Sequence, residues 1–296
     1  MAEPDWLTEG FEKNRGRLRA VAYRMLGSFA DADDAVQEAW LRVARADASD
    51  VDNLSAWLTT IVARVCLNVL RSRNARREEP LDTHVPDPII TRADEPSPED
   101  QVLMADSVGL ALQVVLETLT PAERLAFVLH DTFGLPFEEI APMVGRSPAA
   151  ARQLASRARR RVRGADVHSP DRDVARQREV VDAFFAAAHS GDFDALVAVL
   201  DPDVVSRIDG GTGGGPAASG VLHGASTVAR ATLAIASIAA PKHPVMVNGA
   251  AGVVITLGGQ PVAVMGFTVS GGKIVEINSI TDPERIRRLD LSAIGD

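Results

Sequence analysis

Apolar residues recur at helical spacing along the first 77 residues, with few Gly or Pro residues to interrupt them. The pattern predicts a first helix that ends at Gly27, a residue suited to a left-handed helix cap. A second helix is predicted to begin at Asp31–Asp34, where carboxylates complement the positive helix end. A third is predicted to begin near Asn53–Ser55 and to continue into a group of arginines. We therefore expect an all-α domain over residues 1–77.

The stretch 78–100 breaks this pattern because it holds five prolines and several acidic residues. Such a composition favours neither a long helix nor a sheet, so we expect a linker. Helical periodicity returns over residues 101–164 and predicts a second all-α domain. Residues 165–173 form a second predicted junction.

The hydrophobic pattern changes again after Val174. Two predicted helices, Arg176–His189 and Asp192–Leu200, precede β-branched runs that glycines separate. The predicted strands are Val245–Val247, Val253–Leu257, Val262–Val269 and Ile274–Ile280. Helices followed by a strand meander indicate an α+β domain over residues 174–296. The predicted fold is therefore multidomain, with two all-α domains and one α+β domain.

The segment 120–163 has the layout of a helix-turn-helix. Thr120, Pro121 and Glu123 form a near-complete capping box at the start of one helix. Gly145 allows a sharp turn, after which Ser147 caps the last helix. In such motifs the second helix lies in the major groove of DNA, so we expect its exposed polar residues to contact DNA. The candidates are Arg146, Ser147, Arg152, Gln153, Ser156, Arg157 and Arg160. An ordinary amphipathic helix with a charged face is the alternative.

The charge distribution supports DNA contact at defined places only. The net charge is −9, which argues against a protein that coats nucleic acid by bulk attraction. However, seven arginines and no acid lie between Arg146 and Arg163, and five arginines and no acid lie between Arg64 and Arg77. The rest of the surface should repel phosphate or meet another protein.

Composition sets the cellular context. With 46% hydrophobic and 24% charged residues, the 296-residue chain has the composition of a multidomain globular protein. We expect no membrane association and no export, since residues 1–10 lack the features of a secretory signal. Cys66 lies among apolar residues and is expected to be a packed thiol rather than a metal ligand or nucleophile. These features predict a cytoplasmic protein with no cofactor and no metal.

Several motifs resemble those of one family, the extracytoplasmic-function sigma factors of bacterial RNA polymerase. The segments Leu119–Arg124, Phe137–Ala141 and Ser147–Arg152 resemble region 4 of that family. The N-terminal segment Ala32–Trp40 is similar to its region 2.2, and Ala56–Arg64 followed by Leu67-Asn68 resembles regions 2.3 and 2.4. The resemblance covers residues 9 to 163, in the family's order.

This resemblance implies a partner for each polar surface. The acidic second helix would bind the clamp helices of the polymerase β′ subunit, and the protein would also contact the β flap. The alternative explanation of the acidic residues in the second helix is that they complement the helix dipole. Its candidate residues are Asp31, Asp33, Asp34, Gln37, Glu38 and Trp40. The third helix would recognise and melt the promoter −10 element, and the helix-turn-helix would read the −35 element. The −10 candidates are Asn53, Ser55, Trp57, Arg64, Asn68 and Arg71. Trp57 has the alternative of a core position.

The C-terminal domain resembles the SnoaL-like branch of the cone-shaped α+β fold, which identifies the subgroup of these sigma factors with a fused SnoaL-like domain. Three motifs of that subgroup appear only in part, at His84–Pro88, which lacks a tryptophan, at Asp209–Gly215, which lacks a lysine, and at Asp282–Ile286. The domain is expected to contact the linker and the sigma domains and to modulate their activity.

Two other functions remain open for this domain, ligand sensing and catalysis. Catalysis would need a general base, and the available groups are Asp209, His223, His189 and Glu276. No tight motif joins them, and Asp209 begins a glycine tract, a position typical of a turn. We therefore expect no catalytic residue. A further alternative for the whole chain, a dimeric repressor that uses only the helix-turn-helix, leaves the N-terminal motifs unexplained.

Overall fold

The computed structural model describes residues 5–46, 48, 51–75, 84–93, 110–164, 171–211, 219–236 and 240–294. The chain divides into two compact units. The first comprises Met1–Glu79 and Val115–Asp166, and the second comprises Pro80–Val114 and Val167–Asp296. The described part of the expected linker therefore belongs to the same compact unit as the C-terminal domain.

Three helices make up the N-terminal half of the first unit: α1 (Asp5–Leu26), α2 (Phe29–Val43) and α3 (Leu54–Ala75). Gly27 adopts φ 75° after α1, which confirms the predicted left-handed cap. Helix α2 begins before the predicted acidic run because the Ser28 hydroxyl accepts a hydrogen bond from the Asp31 amide at 3.4 Å. The Asn53 side chain caps α3 in the same way, through the Ala56 amide at 3.1 Å.

Helix α3 is the central core helix of this half. Over Leu54–Arg73 it is the one described helix whose length and hydropathy would allow it to cross a membrane. Its apolar side chains, among them Leu58, Val62 and Leu67, are buried against α1 and α2 instead. Cys66 is fully buried on the same face, and burial raises the pKa of its thiol to about 12. The thiol is therefore protonated and inert at neutral pH.

The second half of this unit contains the predicted helix-turn-helix. Its elements are α5 (Pro121–Phe127), a π-helical segment (Val128–Thr132), α6 (Phe137–Val144) and α7 (Pro148–Gly164). They follow helix α4 (Leu110–Glu117), of which residues 110–114 belong to the second unit and residues 115–117 to the first. The capping box of Thr120 and Glu123 is complete. Gly145 ends α6 at φ 66°, and the Ser147 hydroxyl accepts from the Ala150 amide at 3.3 Å. These observations confirm the predicted helix starts and the turn between α6 and α7.

A seven-stranded sheet with order β1-β4-β5-β6-β7-β2-β3 forms the second unit. Its strands are β1 (Ile90–Arg92), β2 (Leu200–Asp209), β3 (Gly220–His223), β4 (Lys242–Val247), β5 (Ala250–Leu257), β6 (Gln260–Ser270) and β7 (Lys273–Ile280). Among the strand pairings of the described residues, only β2–β7 is parallel. The expectation that the stretch 78–100 forms no sheet is wrong for Ile90–Arg92, which pairs with Val245–Val247. A strand this short can be stabilised by an existing sheet edge without any strong pattern of its own.

The two faces of this sheet are covered by different elements. Helices α8 (Val174–Ser190), α9 (Phe193–Val199) and α10 (Ala225–Ala236) pack on one face, around Phe184 and Phe267. On the other face, Val85 and Ile286 pack against sheet residues such as Val264. Ile286 belongs to the short helix α11 (Pro283–Ile286). The linker and the C-terminal segment are therefore built into the second core.

Candidate nucleic-acid and polymerase interfaces

One face of α3 carries the residues expected to contact the −10 element. Asn53, Trp57, Arg64, Asn68 and Arg71 are separated by four, seven, four and three positions, so they follow one side of the helix. All are exposed except Trp57, which is half-buried. Ser55 lies off this line and is also half-buried. The helix thus presents a mixed amide, aromatic and basic surface opposite its apolar core face.

Helix α7 has one buried side and one exposed polar side, as expected of a recognition helix. Ala151, Ala155 and Ala158 are fully buried, and such small side chains allow α7 to pack closely against α5 and α6. The exposed polar positions on the opposite side are Gln153, Ser156, Arg157 and Arg160. Arg146 and Ser147, in the turn before the helix, are exposed as well. Each candidate −35 residue is therefore accessible from solvent.

Three arginines of α7 contact the preceding helices as well as solvent. The Arg152 guanidinium carbon lies 5.2 Å from the ring centroid of Phe137. Arg159 donates to Asp131 at 2.7 Å, and Arg161 donates to Glu123 at 3.2 Å. In the structure they fasten α7 to the rest of its module.

The acidic surface of α2 is partly neutralised by neighbouring arginines. Asp31 pairs with Arg73 at 2.7 Å and Asp33 pairs with Arg19 at 2.7 Å. Glu38 accepts from Arg42 at 3.0 Å along the same helix. Since such exposed pairs contribute little to stability, a stronger partner can replace them at small cost.

A further residue of α2 escaped the sequence analysis. Leu41 is 46% exposed and follows Asp34 and Gln37 by seven and four positions, on the same polar face. An apolar side chain surrounded by polar ones has the arrangement of an interface core with its polar rim. Trp40 is half-buried and its ring lies 4.8 Å from that of Phe11, so its main contact is internal. The sequence signal was present, namely one apolar residue on the polar side of an amphipathic helix.

The two helical modules of the first unit meet through a buried arginine. Arg124 of α5 is 3% exposed and donates to the backbone carbonyl of Arg24 in α1 at 3.0 Å. It also pairs with Glu117 at 3.4 Å. Burial lowers the pKa of the Arg124 guanidinium, and the Glu117 charge opposes that effect. The Arg24 guanidinium carbon in turn lies 4.9 Å from the ring centroid of Phe133.

In the second unit, the three partial motifs of the sequence meet at Arg285. This side chain donates to the Asp209 carboxylate, to the Val85 carbonyl at 2.6 Å and to Asp87 at 2.6 Å. Asp209 also accepts from the Val85 amide at 3.0 Å, and His84 Nδ1 lies 3.2 Å from it. Residues 212–215 of the central motif lie outside the described residues. We name this group, His84, Val85, Asp87, Asp209 and Arg285, the linker lock.

Asp209 is a fixed, buried ion rather than part of a loose turn. It ends β2 and is 6% exposed. Although burial by itself raises the pKa of this carboxyl, the hydrogen bonds from His84 and Val85 and the charge of Arg285 outweigh burial, so its pKa lies below the ordinary value. Asp209 also begins a turn, as predicted, because its Oδ1 accepts from the Gly211 amide at 3.3 Å, but the contacts with Arg285 and Val85 hold it fixed. A carboxylate held ionised by an arginine is also a poor general base.

The other candidate bases do not join Asp209 in one site. His189 and His223 are exposed, at the end of α8 and in β3, and Glu276 is paired with Arg207. A cavity of about 350 Å³ opens between α9, β2, α10 and β7, lined by residues such as Leu200, Thr227 and Lys273. None of the four candidate bases lines it. Within the described ranges, then, no arrangement of these groups resembles a catalytic centre.

Comparison with known proteins assigns these modules. The family model of Sigma-70 region 2 matches residues 11–76, and that of Sigma-70 region 4 matches residues 109–162. The chain is 40% identical over 288 residues to the ECF RNA polymerase sigma factor SigJ of Mycobacterium tuberculosis, an alignment that covers 93% of this chain and 91% of the relative. It is 35% identical over 295 residues to the probable ECF RNA polymerase sigma factor SigI of the same species, covering 97% of each.

A solved structure supports the same assignment over nearly the whole chain. The crystal structure of the M. tuberculosis extracytoplasmic function sigma factor SigJ matches with a TM-score of 0.73 and 34% identity, covering 96% of this chain and 99% of that one. The family predicted from the motifs, the two helical sigma domains and the additional α+β domain are confirmed. The roles of individual residues stay predictions.

Proposed function

Because the chain belongs to the extracytoplasmic-function sigma factors, we propose that each of its exposed polar faces has one partner in transcription initiation. The α3 face, Asn53 to Arg71, binds the unpaired −10 element. The exposed face of α7, centred on Gln153 and Arg157, reads the −35 element in the major groove. The α2 face, with Asp34, Gln37 and Leu41, binds the clamp helices of polymerase β′, and the helix-turn-helix module contacts the β flap.

The observation that carries this proposal is the pair of separate basic and amide-bearing helix faces on an otherwise acidic chain. Arg64 and Arg71 on α3, and Arg157 and Arg160 on α7, are exposed and have no ion-pair or hydrogen-bond partner within the described part of the chain. Exposed guanidinium groups without internal partners suit phosphate and base edges. The surrounding negative charge disfavours DNA elsewhere on the protein.

The two faces must separate in order to work together. Promoter positions −10 and −35 differ by 25 base pairs, roughly 85 Å along the DNA axis at about 3.4 Å per base pair. A compact unit of roughly 130 residues has a radius of gyration of about 14 Å. We therefore propose that binding to the polymerase breaks the Arg124–Arg24 contact and moves the modules apart. The polymerase stabilises the open form by differential contacts.

We assign a regulatory, non-catalytic role to the second unit. The linker between the two sigma modules pairs through β1 with the sheet of the second unit and is held there by the linker lock. When the linker lock opens or closes, the number of linker residues that are not bound to the second unit changes. This number sets the effective concentration of one sigma module near the other. This role fits action in the cytoplasm, where core polymerase works.

Run-off transcription with core polymerase tests the proposal. Wild-type protein should direct transcription from a promoter in its own genome. Asn68→Ala should weaken melting at the −10 element, and Gln153→Ala should change base preference at the −35 element. Arg230→Ala, on the solvent side of α10, should do neither. Absence of any transcript together with absence of binding to core polymerase would refute the assignment.

A further inference from the structure

Arg152 is held in place in an unusual way for a residue at the start of a recognition helix. Its guanidinium carbon lies 5.2 Å from the Phe137 ring centroid, within the range of a cation–π contact. Among the described residues its N–H groups have no hydrogen-bond partner, and the side chain is exposed. The guanidinium is therefore fixed by a ring while its donors remain available to a ligand.

Phe137 is itself firmly anchored. It is 6% exposed at the first position of α6, and its ring stacks on that of His130 with centroids 3.9 Å apart and planes 27° apart. His130 Nδ1 lies 2.9 Å from the Leu135 carbonyl. Since a carbonyl can only accept, Nδ1 carries a proton and this hydrogen bond fixes the plane of the imidazole.

The π-helical segment contributes to this arrangement. It spans Val128–Thr132 and supplies both His130, which supports Phe137, and Asp131, which binds Arg159 at 2.7 Å. Arg152 and Arg159 are seven positions apart on α7, so consecutive residues of this segment support one side of the recognition helix over two turns. Such π-helical turns occur often at functional sites.

We propose that Phe137, supported by His130, is a positioning residue that fixes the direction of Arg152 for a base-specific contact in the −35 element. A guanidinium in contact with a ring loses freedom before DNA arrives, so less entropy is lost on binding. Its N–H edges stay free to donate in a bidentate manner to guanine O6 and N7. This inference rests on the proposed −35 function of α7 and adds residues that are themselves outside the DNA-facing helix.

The test measures base preference with the holoenzyme on a promoter library randomised over the −35 hexamer. Arg152→Met should abolish the preference at one position. Phe137→Leu, which keeps an apolar side chain but removes the ring, should reduce the preference at that same position by about threefold, as expected for loss of one exposed cation–π contact. Phe137→Tyr should retain it, and the double variant should be no worse than Arg152→Met alone.

Controls separate this inference from the proposed function. Gln153→Ala should change a different position of the hexamer and leave the Arg152 position intact. His130→Leu, which leaves Phe137 in place, should produce the same selective loss of base preference as Phe137→Leu. It replaces Phe137→Leu in the test if circular dichroism shows that Phe137→Leu folds poorly. If Arg152→Met alters base preference while Phe137→Leu and His130→Leu do not, or if these two weaken all sequences equally, the positioning role is wrong although the −35 function stands. If Arg152→Met changes no preference, both the positioning role and the recognition role of Arg152 fail.

Discussion

The linker lock gives the sharpest quantitative expectation. The Arg285 side chain is only 17% exposed. It contacts Asp209 at the end of β2 and also Val85 and Asp87 of the linker, so it joins the linker to the sheet. Arg285→Met keeps its apolar stem and removes all of these hydrogen bonds. Breaking a buried pair by removing one partner costs about 3–5 kcal/mol, and the residual exposure of Asp87 favours the lower end of that range.

The linker should then open locally while the sheet stays folded. Its other anchors remain, because Ile89 and Asn248 exchange backbone and side-chain hydrogen bonds at 2.8 and 2.9 Å, and β1 still pairs with β4. A loss of about 3 kcal/mol corresponds to roughly 100-fold faster amide exchange. We expect that acceleration for the peptide around Val85 and a smaller one around Ile90, measured by hydrogen exchange and mass spectrometry.

Two further variants test the reasoning. Asp209→Asn should accelerate exchange at Val85 too, since it removes the charge that pairs with Arg285. Arg287→Met is the matched control, because Arg287 is exposed and, among the described residues, hydrogen-bonds only to the Pro283 carbonyl of the adjacent helix α11. Wild-type exchange at Val85 in Arg285→Met, or equal acceleration in Arg287→Met, would show that the lock does not hold the linker.

Four other outcomes follow from the structure. The pKa of Asp209 is lower in the folded protein than its ordinary value of 3.8, so the stability that this carboxylate contributes is complete above pH 3.8 and is lost as the pH falls through the folded pKa. Protection of the linker amides from hydrogen exchange should therefore fall only in acid. Asp209→Asn should remove that pH dependence. Cys66, with its pKa raised to about 12, should react with a thiol reagent at pH 8 only after denaturation, and rapid labelling of native protein would contradict its burial. Arg124→Met should lower the free energy of unfolding of the first unit by about 3 kcal/mol in urea titrations, because it removes the buried guanidinium that donates to Glu117 and to the Arg24 carbonyl. A change below about 1 kcal/mol would argue against the buried contact. Leu41→Gln should reduce affinity for core polymerase about tenfold and change the free energy of unfolding by no more than about 0.5 kcal/mol. Leu257 is an apolar residue with similar exposure, and Leu257→Gln should leave the affinity for core polymerase unaltered.

The helical modules could be predicted from sequence because local signals agree with their structure. Thr120, Glu123 and Gly145 mark helix ends through their own backbone chemistry, and the structure has those ends. The strands with β-branched runs were predicted for the same reason. In contrast, β2, β3 and α10 carry weaker patterns and were missed.

The candidate site was predictable only in part, because several of its contacts join distant residues. Val85 and Arg285 lie 200 positions apart, and Ile90 becomes a strand only because β4 offers it an edge. Similarly, the spacing of Arg152, Arg159 and Arg161 along α7 does not reveal which of them faces Phe137, Asp131 or Glu123. Periodicity identifies an exposed helix side, but the partner of a long flexible side chain depends on tertiary packing.

The internal use of arginine bears on how this acidic protein binds DNA at all. Arg124, Arg159 and Arg285 are engaged with carboxylates of the same chain, so they add little to phosphate binding. The arginines left free on α3 and α7 are few, and a small number of phosphate contacts gives weak, salt-sensitive binding. Repulsion from a net charge of −9 weakens it further. Promoter recognition by the free chain is therefore disfavoured on electrostatic grounds. Under the proposed assignment, core polymerase would cover the acidic α2 face and hold both basic faces against one DNA molecule, so that their affinities combine.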